Sequence, residues 1–448
     1  MQAIHAKSAL LPEGWKSDVR LTIEDGQIAS LAAGVPAEAG DERQAVLVPA
    51  IPNLHSHAFQ RAMAGLAEVR GPGADSFWSW RTLMYRFALS MTPDQVEAVA
   101  AQLYMEMLEA GFGRVGEFHY LHHDKDGGLY ANIAEMAERI AAASQETGIG
   151  LTLLPVFYAH SGFGGAAPNE GQRRFIHSLD EFSRQMEACR GLTGRLSGAR
   201  LGIAPHSLRA VTAAELSMIL PLAGEGPVHI HVAEQVKEVE DCLAATGRRP
   251  VEWLLDEAPV DRRWCLIHAT HMTTRETARM AASGAVAGLC PITEANLGDG
   301  IFNGETYLSA GGALGIGSDS NIRISVAEEL RQLEYSQRLG LKARNVVADT
   351  DGSTGRKLFE RTLAGGAQAL DAPAGLAPGA SADLVSLDVA GVPYLGEDQI
   401  LDHWIFAGGV GVDSTWISGR KLVEKGRHFR RDAISRRFET VMRELLAQ

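Results

Sequence analysis

A chain of 448 residues that is 46% apolar and 22% charged has ample material for a buried core and the composition of an ordinary globular protein. Its formal charge of −13 argues against the basic face that nucleic-acid binding needs, and it obliges any anionic substrate to be met by local arginines. No run of about 18 apolar residues offers a membrane span, and the opening Met1-Gln2-Ala3-Ile4-His5 lacks a signal-peptide pattern, so a cytoplasmic protein without membrane or nucleic-acid partners is expected.

The first 49 residues read as short β pieces at 3–11, 18–23 and 27–31, with a turn at Glu24-Asp25-Gly26. They cannot bury both faces alone. Partner strands are predicted near the other end, at 382–388 and 412–423, so residues 1–49 and 371–428 are expected to form one small β domain around a larger unit, 50–370. The apolar run Val46-Leu47-Val48-Pro49-Ala50-Ile51-Pro52-Asn53-Leu54 reads as a buried strand. Thr92-Pro93-Asp94-Gln95 opens a helix with a capping box and proline at its first position, and Gly111 ends it. Strand-like runs follow at 114–119, 148–158, 200–205, 228–234, 264–270, 286–292 and 314–319, most of them separated by helical patterns. With the run at 46–54 they make eight, which predicts a parallel (β/α)8 barrel of the TIM type. The Gly-rich stretch around Gly162, Gly164 and Gly165 lacks a phosphate-loop pattern and reads as a βα connection. Residues 429–448 are expected to be a terminal packing helix.

The chemistry concentrates at strand ends. His55-Ser56-His57 closes the first barrel run, and two imidazoles at i and i+2 leave a strand on the same side, where they can converge on one metal ion. An HxH also arises as a pair of hydrogen-bonded loop residues. Three more runs reach residues of the same kind: His231 with Glu234 three positions on, His268, and Asp319. In a parallel barrel these ends open on one face, so residues distant in sequence meet there. His229 shares the parity of His231 one layer deeper and reads as structural. His119, His122, His123, His160 and His271 read as polar loop or strand-end residues without a matched partner. Cys189, Cys242, Cys265 and Cys290 form no CxxC pair, which favours buried reduced thiols.

This order of HxH, His231, His268 and Asp319, with flanking β segments and a closing Gly379-Ala380-Ser381-Ala382-Asp383-Leu384-Val385, resembles the amidohydrolase superfamily over nearly the whole chain. Many binuclear members share a bridging carboxylated lysine from the fourth strand, and the absence of lysine between Lys125 and Lys237 excludes it here. The deaminase-like branch that remains implies one Zn²⁺ per chain on His55, His57, His231 and Asp319, with His268, Glu234 and Asp319 handling protons, and a homodimer. More narrowly, segments 53–61, 77–81, 116–120, 204–209 and 290–300 resemble members that hydrolyse N-formimino-L-glutamate to N-formyl-L-glutamate and ammonia in histidine degradation. That likeness implies substrate contacts from Gln60, Arg81, Tyr120, His206 and Arg209.

An amidine carbon is a poor electrophile, so its hydrolysis near pH 7 needs a water of lowered pKa, the service a zinc ion performs. On this reading His268 accepts the water proton and Glu234 protonates the imino nitrogen so that ammonia departs. Glu234 also fits as a carboxylate at the N-terminus of a helix that begins near Gln235. Arg81 and Arg209 offer forked donors, one for each carboxylate of a dicarboxylate substrate. Either arginine also reads as a surface ion pair, and Arg81 sits in a loop of unknown course. Two competing functions stand beside this one. A ring-directed enzyme of the same branch, a guanine deaminase or chlorohydrolase, would favour aromatic stacking, and a non-catalytic zinc-binding barrel would need no Glu234.

Overall fold

The computed structural model describes residues 2–71, 73 and 77–447. Its strands run β1 (Gln2–Leu11), β2 (Gly14–Glu24), β3 (Gln27–Ala32), β4 (Glu42–Pro49), β5 (Ile51–Ser56), β6 (Phe112–His119), β7 (Gly150–Phe157), β8 (Arg200–Leu201), β9 (Ala204–Pro205), β10 (Val228–Val232), β11 (Trp264–His268), β12 (Val286–Leu289), β13 (Ala313–Ile316), β14 (Leu384–Asp388), β15 (Gly411–Ile417), β16 (Arg420–Glu424) and β17 (Arg427–His428). The two ends of the chain share one sheet, ordered β17-β16-β15-β14-β4-β1-β2-β3. It is mostly antiparallel, with β1 and β4 parallel. Asp25 and Gly26, both with positive φ, turn β2 into β3 through the two-residue loop whose twist suits a hairpin. Ile4, Val19, Leu21, Leu47, Leu384 and Trp416 pack on one side of this sheet as a separate core.

The apolar run at 46–54, expected as one strand, is two. Ala50 N–H donates to the Asp383 carbonyl (3.0 Å) and Ile51 N–H to the Gly111 carbonyl (3.1 Å), so successive amides bond to different sheets. Proline flanks the switch on each side, and a residue without N–H suits the point where one ladder stops and another starts.

The remaining strands pair in parallel as β5-β6-β7-β8, with β9 also on β7, and as β10-β11-β12-β13. The run at 200–205 is interrupted between β8 and β9 at Gly202, where a β-carbon would lie 2.5 Å from the Pro227 carbonyl oxygen. Isolated parallel bridges join Ile203 to Val228, Ser207 to His231 and Ser56 to Asp319. The last brings β13 beside β5, and it depends on Gly317: a β-carbon there would lie 2.8 Å from His55 backbone and side-chain atoms.

Helices alternate with these strands. Helix α1 (Phe77–Ser90) crosses the mouth of the site described below, and α2 (Pro93–Glu109) follows it. The Thr92 hydroxyl caps Gln95 N–H while the Gln95 amide accepts Thr92 N–H, which is the capping box expected from the sequence. Helix Arg431–Leu446 packs back on α2, where Gln95 donates to Glu444. All four cysteines are buried and free. Among the described residues no helix is long and apolar enough to cross a membrane.

Candidate active site

Strand β5 ends at Ser56, and the next residues are locked to the loop after β13 by a reciprocal pair: His57 N–H donates to the Asp319 carbonyl (3.1 Å) and Asp319 N–H to the His55 carbonyl (2.9 Å). A buried polar net reinforces the join. Asn53 donates to the Ser318 hydroxyl (2.7 Å), that hydroxyl donates to Asn321 (2.6 Å), and Asn321 donates to the His57 carbonyl (2.9 Å).

From this lock, three imidazoles and a carboxylate face one point. The Nε2 atoms of His57 and His231 each lie 3.1 Å from His55 Nε2. Asp319 Oδ1 lies 3.4 Å from His55 Nε2 and 3.3 Å from His57 Nε2. The backs of two rings are tied down, His57 Nδ1 to the Phe118 carbonyl and His231 Nδ1 to the His206 carbonyl, both at 3.0 Å. Those carbonyls can only accept, so Nδ1 carries the proton in both rings and both Nε2 atoms turn lone pairs inward. His55 Nδ1 is buried without a partner.

Two facing lone pairs repel unless a cation lies between them. Tetrahedral bonds of about 2.0–2.1 Å would separate the donor atoms by about 3.3 Å, as observed here. Burial holds the His55 imidazole down to about 3 and that of His231 well below its ordinary value, leaving neutral nitrogen donors. Burial opposes ionisation of Asp319, yet the neighbouring His55 and His57 hold its carboxyl well below the usual range. The four residues therefore make a His3Asp cluster fit to hold one metal ion.

Beside it stands a proton-handling group. His268 Nε2 lies 3.9 Å from Glu234 Oε1 and 3.8 Å from Asp319 Oδ2, while its Nδ1 is 3.2 Å from Glu294 Oε1. Burial works against charge on His268, but Glu234, Glu294 and Asp319 together carry its imidazole up to about 10. Burial also pushes the Glu234 carboxyl up, against the pull of His268. Ala233, His268 and Asp319 all have positive φ. Non-glycine residues held there store of order 1–3 kcal/mol of strain each, and at these strand ends the backbone turns so that side chains aim into the site.

One pocket joins these groups to the rest. Its wall includes Gln60, Arg81, Tyr120, His206 and Arg209 together with His57, His231, Glu234, His268 and Asp319. Gln60 donates to the Tyr120 hydroxyl (2.8 Å), and its own carbonyl is buried and unpartnered. Trp80, Met84, Tyr158, Phe175 and Leu297 supply the apolar part.

With that geometry in place, kinship is decisive. The amidohydrolase family model matches residues 46–422, and a model of the N-terminal domain of the formimidoylglutamate deiminase HutF matches residues 1–45. The chain belongs to the amidohydrolase family. A formimidoylglutamate deiminase of Pseudomonas aeruginosa is 51% identical over the full length of both chains. The crystal structure of an amidohydrolase from Brucella melitensis superposes with a TM-score of 0.98 at 61% identity, covering all of both chains. A zinc-bound adenosine deaminase from Xanthomonas campestris, at 20% identity, matches with a TM-score of 0.82 over 100% of this chain and 99% of its own, which shows the shared fold.

In this amidohydrolase every site residue expected from the sequence lines the pocket except His55, which is fully buried and joins it through the His3Asp cluster, and two settings differ from the expectation. Arg81 lies on helix α1 and faces the pocket, not in a loop. His119, His122 and His123 are buried; His122 and His123 are hydrogen-bonded, while His119 Nε2 has no partner. With His177 they make a cluster of rings whose neighbouring centroids lie 4.3–5.2 Å apart, and His122 accepts from Gln185. His160 meets Glu215 at 2.9 Å. His229 is structural as expected, tied to the Ala369 carbonyl at 2.7 Å.

Sequence reasoning passed over two carboxylates. Glu294, on helix Pro291–Leu297, accepts from Cys290 N–H and meets His268 from behind. Glu117 accepts from Ala58 N–H (2.7 Å) and the Tyr104 hydroxyl (3.0 Å), pinning the turn just after His57, and burial pushes its carboxyl up to about 7. Both occur in segments already singled out for resemblance, which was the available signal.

Proposed function

We propose that the protein hydrolyses N-formimino-L-glutamate to N-formyl-L-glutamate and ammonia, the deimination step of histidine degradation. The observation that carries this reading is that Arg81 and Arg209 line the same pocket as Glu234, His268 and the His3Asp cluster. A dicarboxylate in a chain of charge −13 requires such cations. The full-length likeness to the Pseudomonas aeruginosa deiminase supports the same substrate.

His55, His57, His231 and Asp319 would hold one Zn²⁺, which when bound lowers the pKa of water from 15.7 towards ~7. Glu294 accepts a hydrogen bond from Nδ1–H of His268 and so fixes Nε2 as the atom that faces the pocket; a metal cation on the neighbouring donors would oppose the second proton that the surrounding carboxylates favour on this ring, leaving Nε2 to take a proton from the attacking water. Asp319 Oδ2, 3.8 Å away, is a second acceptor. Glu234 delivers a proton to the imino nitrogen so that ammonia departs instead of an amide anion. Gln60, Tyr120 and His206 orient the substrate over these groups.

The eight parallel strands β5 to β13, with β8 and β9 as one interrupted strand, are read as a closed (β/α)8 barrel. The bridges at Ile203–Val228, Ser207–His231 and Ser56–Asp319 support that closure. The division into a barrel at 50–370, a small β domain of 1–49 with 371–428, and a terminal helix at 429–448 fits the change of sheet at Ala50. A cytoplasmic homodimer completes the reading, and light scattering on the purified protein tests the dimer.

Ammonia release from a panel of formimidoylglutamate, guanine and cytosine tests the function; turnover of a ring alone would replace it. Elemental analysis of the active protein is expected to find one zinc per chain, and His231→Ala to lose both metal and activity. Two tightly held metals would overturn the mononuclear assignment. Glu294→Gln is expected to keep the metal but lower kcat about 10- to 100-fold, as the loss of an orienting partner does. An unchanged kcat would leave Glu294 a purely structural carboxylate.

A further inference from the structure

We propose that Tyr85 is a specificity-determining residue that donates a hydrogen bond to the substrate carboxylate farther from the amidine carbon; this rests on the function proposed above. Tyr85 follows Arg81 by four residues on α1, so the two side chains share a helix face, and both line the pocket. The Tyr85 hydroxyl is shielded from water and has no partner at hydrogen-bond distance; the Arg81 guanidinium is the polar group beside it. A buried phenol that makes no bond is costlier than the phenylalanine that would pack as well, which points to an acceptor that arrives with the ligand.

The ring is held in place on several sides. Phe175 lies 6.0 Å away between ring centroids, and the Arg81 guanidinium sits 4.9 Å from the Tyr85 centroid. At Gly171 a β-carbon would come within 3.0 Å of the Tyr85 ring, so the glycine lets that loop close against it. The hydroxyl is therefore presented by a rigid ring at low entropic cost.

Position within the pocket selects the carboxylate. Arg209 lines the pocket with Glu234, while the Arg81 guanidinium sits against the Tyr85 ring on α1. A substrate with its imino nitrogen at Glu234 has its nearer carboxylate beside Arg209, and its extended side chain ends at Arg81 and Tyr85. There a guanidinium and a phenolic O–H converge on one anion, the pairing that gives short charge-assisted hydrogen bonds.

The test is Tyr85→Phe, compared with wild type on N-formimino-L-glutamate and on N-formimino-2-aminobutyrate, which lacks the side-chain carboxylate. On the full substrate kcat/KM is expected to fall roughly 10- to 100-fold, mainly through KM, the loss typical of one hydrogen bond to a charged group. On the shorter compound the two enzymes are expected to agree. Calorimetric binding of N-formyl-L-glutamate should weaken by the same factor, a readout independent of turnover. An active wild type with unchanged Tyr85→Phe kinetics, or equal losses on both compounds, overturns the assignment of Tyr85 alone. A wild type that releases no ammonia from N-formimino-L-glutamate overturns the functional reading beneath it.

Discussion

Glu234→Gln and His268→Asn are expected to bind metal as the wild type does while losing about 10²–10⁴ in kcat, the range for a positioned acid or base. Neither residue belongs to the four inward-facing donors, so elemental analysis should return the same metal content. The two act on different protons. On the proposed mechanism His268, whose Nδ1 meets Glu294, receives the water proton at Nε2, and Glu234, whose carboxyl burial pushes up, supplies the proton to the imino nitrogen. Glu234→Gln preserves size and His268→Asn keeps a smaller polar side chain, and each removes the ability to exchange that proton. Full metal with near-normal kcat in either variant would remove that residue from the mechanism.

Arg209→Met is expected to lower kcat/KM for N-formimino-L-glutamate by roughly 2–5 kcal/mol of transition-state stabilisation, the cost of stripping one partner from a desolvated charge pair. The guanidinium also sits near Glu234 and Glu238, so its loss alters the field at the proton donor. Hydrolysis of a formamidine that carries no carboxylate separates the two effects. If Arg209 clamps a carboxylate, the slow turnover of formamidine survives almost unchanged. Equal losses on both compounds would show that Arg209 supports the site's electrostatics, and the dicarboxylate reading would lose its main physical support.

The metal cluster was legible because its signal is local. A strand's period of two aims His55 and His57 the same way, and His231, His268 and Asp319 each close an apolar run. The chain-end β domain was legible for a similar reason, since short alternating runs at both termini need each other to bury a face. The division at Ala50 was not. A largely apolar run of nine residues has one hydropathy pattern whichever sheet accepts its amides, and only the partners Asp383 and Gly111 show the switch. Arg81 was left in a loop because α1 has weak apolar periodicity in a segment rich in aromatic residues.

The sequence by itself determined which residue types stand at the strand ends, and with them the candidate metal donors His55, His57, His231 and Asp319, the neighbouring His268 and Glu234, and the two pocket arginines. Only the tertiary structure decided how they are held. Glu294 reaches His268 across 26 positions, Asn53 reaches Ser318 across 265, and Tyr85 meets Phe175 from a different segment. Such contacts have no periodicity to read. They arise from the register between parallel strands and from the path of each loop over the strand ends, which the packing of the whole chain sets, whereas side-chain alternation along one strand is a property of the backbone itself.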